Sequence, residues 1–309
     1  MVQIEVRPLL QAELDDADRI LRDAFGTLLG IDMNDDTEVF RTRFRAPHTV
    51  ALAGLVDGVL VGSTLVTLWG SVGFLGPLSV TPRMWNSGVG TRLVAAATEL
   101  LDARGATHQG LFTFPQSPMH HWLYHKFGFW PRYLTVIMSR RVAGEEPVLG
   151  WRMSAAAPAS RQALLDACAA VTDAIHPGLD VRGEITAVLD QGLGEVVLVG
   201  APDAPSGFAV CHSGPGTEAG GGTVYVKFAA VRPGPHAADV FAALLGACQG
   251  FAAGAGARRL TVGVNTARHE AHRHLLGAGF RVDTAGVSMH RPNEPAYDRA
   301  DLYVLDDWR

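Results

Sequence analysis

The sequence has few cysteines, few charged residues and no evident leader, and each scarcity narrows the class of protein. Three cysteines occur in 309 residues, none in a CxxC spacing, which is typical of reduced thiols and not of a disulfide framework. Charged residues make up 18% and the net charge is −5, which argues against a general nucleic-acid binder. The N-terminus has no basic region followed by an apolar run, and no stretch approaches the roughly 18 apolar residues that cross a bilayer. We therefore expect a cytoplasmic protein without nucleic-acid or membrane partners. The cysteines are Cys168, Cys211 and Cys248.

Hydrophobic residues, by contrast, make up 48% of the chain, which suffices for packed cores and is too much for wholesale disorder. A length of 309 residues suits about two domains of roughly 150 residues each. Residues 143–150 make the best linker, because Gly144, paired glutamates and Pro147 break the periodicity there. We therefore predict one domain at residues 1–142 and a second at residues 151–309.

The pattern of the first half returns in the second half at a constant distance of 151 residues. No gap is needed between Val80 and Arg140, and the matched residues fall where turns and helix ends are expected. An internal repeat of this kind indicates duplication of one domain. The matched pairs are Val80 with Val231, Pro82 with Pro233, Gly105 with Gly256, Gly128 with Gly279, Phe129 with Phe280, Met138 with Met289, and Arg140 with Arg291.

In the first half we predict the order strand, two helices, three strands, helix, strand, helix, strand. Asp57-Gly58 between two strand-like runs is a strong hairpin signal. Pro77 interrupts the strand at 74–80 and predicts a bulge or an unpaired edge. A helix with one apolar face is predicted at 88–104, and Gly105 ends it. In the second half we predict helices at 160–174, 240–253 and 267–276, strands at 195–200, 207–212, 223–231 and 259–264, and a mobile Gly-rich loop at 213–222.

The segment 78–93 combines the end of a strand, a loop of small residues and a helix that begins at Gly88-Val-Gly90. The N-terminus of a helix presents free backbone N–H groups and the positive end of the helix dipole, which suits a phosphate or pyrophosphate. Glycines allow a ligand to approach the backbone closely. An ordinary tight turn before a helix gives the same pattern, so the GxG alone leaves both interpretations open.

Together with residues further along the chain, this pattern resembles the motifs of a known family. Trp85-Asn-Ser-Gly88-Val-Gly90, followed at a distance by Tyr124-His-Lys-Phe-Gly128-Phe129, resembles the GNAT N-acetyltransferase superfamily. That family has a pyrophosphate loop of the form Arg/Gln-x-x-Gly-x-Gly/Ala and a later Tyr-x-x-x-Gly-Phe. The resemblance covers most of residues 1–142. It implies an α/β fold of two tandem GNAT-like domains, each with a mixed, centrally splayed sheet flanked by helices.

The resemblance also implies a site for acetyl-CoA as co-substrate between two splayed parallel strands. The strand residues would offer backbone groups to the pantetheine arm, and the loop would hold the pyrophosphate through backbone N–H groups. Trp85 stands where the family has Arg or Gln, which predicts weakened but not abolished CoA binding, with Arg83 or Arg92 as substitutes for the charge. The implied cofactor-binding residues are Leu78, Ser79, Val80, Trp85, Asn86, Ser87, Gly88, Val89, Gly90, Thr91 and Lys126.

Tyr124 occupies the position of the family's general acid, which protonates the leaving CoA thiolate. A phenol with an ordinary pKa of about 10 can do this because the thiolate is itself basic. The alternative for Tyr124 is a tyrosine packed on an amphipathic helix. Lys126 would reach a CoA phosphate, or else lie on a solvated helix face.

The amine acceptor must be neutral to attack, so a base is expected, yet the strand at 74–80 carries no carboxylate. The sequence leaves the base open among residues of the predicted acceptor region, the histidines and a C-terminus that folds back. These candidates are Asp32, Asp35, Asp36, Glu38, His48, His120, His121 and the segment 306–309.

A metal is not predicted. His121 and His125 are four residues apart on one predicted helix, but no HExxH glutamate accompanies them. His269, His272 and His274 are interpreted as histidines on a helix face.

The second copy of the motif has lost its loop. In the repeat register, Gly88 and Gly90 become Asp239 and Phe241, and Tyr124 becomes Leu275. A carboxylate would repel a pyrophosphate and a phenyl ring would block its approach. We expect this domain to be non-catalytic and to help shape the acceptor pocket.

These observations predict an acetyl-CoA-dependent N-acetyltransferase that transfers the acetyl group to a primary amine by direct attack, without a metal. The acceptor is a small molecule or a peptide, and the protein is a monomer or a homodimer. The alternative is a non-catalytic CoA- or acyl-CoA-binding regulatory protein. A third hypothesis is a structural tandem that binds a small polar ligand and has no affinity for CoA.

Overall fold

The computed structural model describes residues 3–30, 36–142, 144 and 150–308. The first half contains β1 (Ile4–Pro8), α1 (Leu14–Leu29), α2 (Phe40–Phe44), β2 (Thr49–Val56), β3 (Val59–Trp69), β4 (Val72–Val80), α3 (Val89–Ala103), β5 (His108–Thr113), α4 (Pro118–His125) and β6 (Trp130–Arg141). The second contains β7 (Trp151–Arg152), α5 (Arg161–Ile175), α6 (Arg182–Asp190), β8 (Gly194–Ala201), β9 (Ala204–Gly214), β10 (Gly220–Val231), α7 (Ala237–Gly254), β11 (Arg259–Asn265), α8 (His269–Gly277), β12 (Arg281–Arg291) and β13 (Val304–Leu305).

The order predicted for the first half is confirmed, and the repeat is visible in the structure. Strand β11, helix α8 and strand β12 each begin 151 residues after β5, α4 and β6. Helix α6 and strand β12 were not predicted from periodicity. Most of the predicted linker at 143–150 lies outside the described residues, and the domain limits stay a prediction.

The strands form one continuous sheet in which the two halves exchange their last strands. β12 lies between β5 and β6, and β6 lies between β12 and β11. Met289 of β12 pairs with Leu111 of β5, and Met138 of β6 pairs with Val262 of β11. The two pairs are related by the repeat distance, so each half completes its sheet with a strand of the other.

The sheet opens between β4 and β5. These parallel strands pair only over Val72–Phe74, and the register of β4 against β3 shifts between Leu75 and Leu78. The bulge predicted from Pro77 is confirmed. Beyond it, β4 continues to Val80 without pairing to β5, so one edge of its backbone faces an open cleft.

Helix α3 covers the sheet on one side of this cleft because its apolar residues recur at helical spacing. Val89, Leu93, Ala97 and Leu101 are fully buried and belong to one core that also includes Tyr124 and Phe129 of the following segment. The N-terminal end of α3 is thereby fixed at the mouth of the cleft.

Helix α7 is the corresponding helix of the second half. It has 18 residues and a mean hydropathy of 1.4, with 56% of the segment buried in the fold. The expectation that no stretch approaches the length and composition of a membrane span is therefore wrong for α7. The helix is apolar because it lies in the core of the second half. Phe241, Leu244 and Cys248 belong to one buried hydrophobic cluster with residues of β9, β10 and β11. Cys168, Cys211 and Cys248 are all buried free thiols.

The Gly-rich segment predicted as a mobile loop is tied to the first half. Residues 215–219 connect β9 to β10, and the Glu38 N–H donates to the Thr217 carbonyl at 3.0 Å. The Asp36 carboxylate accepts from the Gly221 N–H at 2.8 Å. The sequence could not show these contacts because they join residues far apart in the chain.

A buried carboxylate also joins the halves, and its ionisation gives a stability prediction. Glu184 Oε2 lies 2.8 Å from His48 Nε2 and accepts from the Trp69 indole at 3.2 Å. Burial alone would raise the pKa of Glu184, but His48 and then Lys227 outweigh burial and lower it to about 2.

A carboxylate with a lowered folded pKa stabilises the fold above its unfolded pKa and loses this contribution as pH falls through the folded value. Stability from Glu184 should therefore disappear between pH 4.5 and about 2. We expect Glu184→Gln to flatten the dependence of the urea unfolding free energy on pH in this window. Glu99→Gln, on the exposed face of α3, is the matched control. An unchanged slope in Glu184→Gln would contradict the assignment.

Candidate functional site

The loop before α3 leaves backbone donors without partners inside the helix. Gly88 is the N-cap with φ of 96° and offers no side-chain cap, and Asn86 precedes it with φ of 63°. The first intrahelical bond runs from the Arg92 N–H to the Gly88 carbonyl. The N–H groups of Val89, Gly90 and Thr91 therefore precede the hydrogen-bonded helix and point to its N-terminal end.

The two glycines of this loop border open space. A Cβ placed on Gly90 would approach nothing closer than Leu123 Cδ2 at 3.6 Å, and one on Gly88 nothing closer than Ile4 Cδ1 at 3.6 Å. The positive φ of Gly88 also favours glycine itself. A ligand can thus contact the backbone of the loop directly.

Trp85 has a role in the loop that the sequence did not indicate. Its indole Nε1 donates to the Val80 carbonyl at 2.7 Å, so the side chain ties the loop to the end of β4. Arg83 and Arg92, the predicted substitutes for a positive charge, are exposed and do not line the cavity described next.

A cavity of about 750 Å³ extends from this loop through the splay to the junction of the two halves. Such a volume is ordinary for a small-molecule site. Ser79 and Ser87 do not line it: the Ser79 hydroxyl lies 3.3 Å from that of Ser63, and the Ser87 hydroxyl donates to the Met84 carbonyl at 2.6 Å. The other predicted residues all line the cavity, namely Leu78, Val80, Trp85, Asn86, Gly88, Val89, Gly90, Thr91, Tyr124 and Lys126.

Tyr124 lines the cavity from α4 with only 5% of its surface exposed. Its ring packs edge to face on Phe129, with 6.5 Å between centroids. Burial raises the pKa of Tyr124 above its ordinary value, so the phenol holds its proton throughout the physiological range. Lys126 is exposed, with its Nζ 5.4 Å from the centroid of the Trp122 ring.

The predicted base candidates are mostly engaged elsewhere. Asp36 holds the loop of the second half, Glu38 pairs with Arg41 at 3.3 Å, and His48 pairs with Glu184. His120 lines the cavity, whereas His121 does not. Asp32 and Asp35 lie outside the described residues.

A group of charged side chains lies where the two halves meet, at what we call the inner end of the cavity, and no pattern in the sequence indicated it. Arg43 donates to both carboxylate oxygens of Glu218 at 2.9 and 2.6 Å and to the Gly76 carbonyl of the bulge at 3.3 Å. Lys227 Nζ lies 2.8 Å from Glu218. Burial alone would raise the pKa of Glu218, but Arg43 and Lys227 outweigh burial and hold the pKa well below its ordinary range.

The C-terminal segment reaches the same end of the cavity. Trp308 lines it and stacks on Phe74, with 6.3 Å between ring centroids. Tyr225 of β10 also lines it and donates to the two carboxylate oxygens of Asp307 at 3.0 and 3.1 Å. The C-terminal segment thus folds back to the cavity at Trp308, but Asp307 does not line it, and Asp306 pairs with the buried Arg268 at 2.9 Å. That a carboxylate of this segment acts as the base stays a prediction.

In the second half, the strand edge that corresponds to the open edge of β4 is covered by the C-terminal strand β13. β13 pairs with β10 at Ala229 and Ala230, which the repeat register aligns with Leu78 and Ser79. Phe241 is fully buried at the start of α7, with its ring 5.0 Å from that of Tyr303. The edge that is open in β4 is therefore covered in β10.

Among residues 3–30, 36–142, 144 and 150–308, no three His, Cys, Asp or Glu side chains are placed to hold a metal ion. His125 Nδ1 contacts the His121 carbonyl at 2.5 Å, so this ring nitrogen makes a local helix contact. The absence of a metal from the reaction stays a prediction.

Part of the chain matches a known protein family. Residues 14–129 match the family described as "Acetyltransferase (GNAT) family". No curated protein matches the sequence. The matched segment contains the loop before α3 and ends at Phe129.

Solved structures match nearly the whole chain. A putative acetyltransferase from Pyrococcus horikoshii has 16% identity and a TM-score of 0.65, covering 99% of this chain and 95% of that one. A GCN5-related N-acetyltransferase from Sphaerobacter thermophilus has 16% identity and a TM-score of 0.57, covering 93% and 95%. A tandem GNAT protein from the clavulanic acid biosynthesis pathway has 14% identity and a TM-score of 0.56, covering 93% and 98%. At these identities the likeness concerns the fold, a tandem of two GNAT-like domains.

Proposed function

We propose that this chain, whose residues 14–129 match the GNAT acetyltransferase family, transfers the acetyl group of acetyl-CoA to a primary amine. One observation carries the proposal above the others. The free N–H groups before α3, the unpaired edge of β4 and the Tyr124 phenol all border a single cavity. These are the anion site, the backbone edge and the proton donor that the reaction requires.

The loop and strand fix the direction in which the co-substrate would lie. With the pyrophosphate at Asn86–Thr91 and the pantetheine arm along Val80 to Leu78, the thioester would reach the bulge at Gly76-Pro77. Tyr124 lines the same cavity and can protonate the departing thiolate. Because burial raises the pKa of Tyr124, the phenol remains protonated when the thiolate forms.

The inner end of the cavity suggests the acceptor class. Its wall combines many apolar side chains with the Glu218 carboxylate, the Tyr225 hydroxyl and Arg43. An amine with an apolar body fits this combination better than a polycation does, because Arg43 and Lys227 would repel additional positive charges. We propose an arylalkyl or alkyl amine as the substrate class. The apolar wall is formed by Leu21, Ala24, Phe25, Leu28, Phe112 and Phe114.

The test combines binding and turnover in the full-length protein. Calorimetric titration of acetyl-CoA measures affinity, and release of CoA thiol with phenethylamine, an amino acid amide and spermidine measures transfer. Binding with amine-dependent thiol release supports the proposal. Binding without release with any amine favours a CoA-binding regulatory protein, and absence of binding contradicts both.

A further inference from the structure

We propose that Tyr225, supported by Asp307, is the base that removes the proton from the acceptor amine. This assignment rests on the proposed acetyl transfer and names a residue of the second domain as part of the same site. The first domain supplies the acid but no carboxylate on β4, so the reaction requires a proton acceptor from elsewhere.

The position of Tyr225 fits this role. Its side chain lines the inner end of the cavity together with Glu218 and Trp308. Arg43 connects this end to the bulge, because its guanidinium contacts both Glu218 and the Gly76 carbonyl. The bulge is where the thioester would lie, so the inner end of the cavity with Tyr225 would lie beside the reacting carbonyl, whereas Tyr124 lines the cavity from α4.

The hydrogen bonds of Tyr225 give the proton a destination. Its hydroxyl donates to Asp307 Oδ1 at 3.0 Å and to Oδ2 at 3.1 Å. Asp307 is 2% exposed and is held by the C-terminal segment beside Gly263, where a Cβ would lie 2.4 Å from its side chain. A proton that arrives at the phenol oxygen can therefore pass to a fixed carboxylate without forming a free phenolate.

The protons balance in the following order. The acceptor ammonium gives one proton to the Tyr225 oxygen as the Tyr225 proton moves to Asp307. The freed nitrogen lone pair forms the C–N bond at the acetyl carbonyl, the C–S bond breaks, and the thiolate takes the Tyr124 proton. The second nitrogen proton restores Tyr124 through solvent, and Asp307 releases its proton to solvent.

Two other groups that line the cavity are less suited to the role. Glu218 is bound by Arg43 and Lys227, which stabilise its ionised form and lower its pKa. His120 stands one turn before Tyr124 on α4, and burial followed by the nearby His121 lowers its pKa. His120 also shares the helix of the acid and not the second-domain side of the cavity.

The groups that surround Tyr225 come from several elements and bear on any pH dependence. They are Arg43 from α2, Glu218 from the loop before β10, Lys227 from β10, His212 from β9 with its ring 6.4 Å away, and Asp307 from the C-terminal segment. Tyr225→Phe leaves all of these groups in place, and Asp307→Asn changes only the carboxylate that accepts from Tyr225.

The experiment compares Tyr225→Phe and Asp307→Asn with the wild type, using acetyl-CoA and two amines. Phenethylamine is protonated at neutral pH, whereas methoxyamine is neutral there and needs no proton removed before it attacks. We expect kcat/KM for phenethylamine at neutral pH to fall about 10²-fold in both variants. It should recover with rising pH as phenethylamine loses its proton unaided. With methoxyamine the loss should be less than about 3-fold, and the Kd of acetyl-CoA should not change.

Matched variants distinguish a residue that acts as the base from one that only supports the structure. Tyr303→Phe removes a tyrosine hydroxyl from the same C-terminal segment, at a residue that does not line the cavity, and should leave kcat/KM unchanged. Equal losses with both amines in Tyr225→Phe, or the predicted pattern in Glu218→Gln or His120→Asn instead, would overturn the assignment. If the wild type releases thiol and Tyr225→Phe does so at the same rate, this assignment alone is overturned. No release by the wild type with any amine overturns the proposed function and the assignment with it.

Discussion

Replacing Gly90 by phenylalanine is expected to reduce acetyl-CoA affinity by more than about 100-fold, while the protein stays folded. The change reproduces in the first domain what the repeat register shows at Phe241. A Cβ at Gly90 meets Leu123 only at 3.6 Å, so the ring enters space that is free for a ligand and does not clash with backbone. It would occupy the place from which the N–H groups of Val89 and Thr91 contact an anion. A loss of about 100-fold corresponds to roughly 2.7 kcal/mol.

Gly90 is a better site for this test than Gly88, because the φ of 96° at Gly88 would strain any other residue. Calorimetric titration of acetyl-CoA gives the affinity, and the thermal unfolding midpoint reports the fold. Gly277→Phe is the control, since it adds the same ring to an exposed helical glycine with nothing within 4 Å. Equal affinities of Gly90→Phe and the wild type would remove the loop before α3 from the binding site.

The asymmetry of the two domains has a physical origin in one strand edge. In the first domain the edge of β4 beyond the bulge is open, whereas Ala229 and Ala230 of β10 pair with β13. A backbone edge that is already hydrogen-bonded offers no site to a pantetheine arm. Asp239 and Phe241 indicated the same asymmetry in the sequence, but the pairing of β10 with β13 is visible only in the structure.

The correct predictions for the first domain came from patterns within short segments of the sequence. Pro77 predicted the bulge because proline cannot donate to a sheet ladder, and the structure has a register shift there. The glycines at 88 and 90 predicted a helix start, and α3 begins at Val89. In both cases the signal and its consequence lie within a few residues, which is the range over which side-chain pattern determines backbone conformation.

The parts that were missed depend on contacts between distant residues. Strand β12 was not predicted from periodicity, and nothing in its sequence shows that it inserts between β5 and β6. Arg43 and Glu218 are 175 residues apart in the chain yet form a bidentate ion pair. The inner end of the site is assembled by the exchange of strands and by the C-terminal segment, so single-segment patterns could not locate it.

Tyr124→Phe is expected to lower kcat about 10²-fold without changing the Kd of acetyl-CoA, because it removes only the proton donor. The phenylalanine ring keeps the edge-to-face contact with Phe129, and the free N–H groups before α3 are untouched. Since burial raises the pKa of Tyr124 above its ordinary value, we also expect no loss of wild-type kcat from this group between pH 8 and pH 10.

Steady-state thiol release and calorimetry together give kcat and Kd for this variant. Tyr133→Phe, which alters a tyrosine that is 60% exposed on β6, should behave like the wild type. An unchanged kcat in Tyr124→Phe would exclude Tyr124 as the acid, and a weakened Kd with normal kcat would make it a binding residue. The predicted split between kcat and Kd follows from geometry, because Tyr124 lines the cavity from α4 whereas the N–H groups proposed to bind the pyrophosphate belong to the N-terminus of α3.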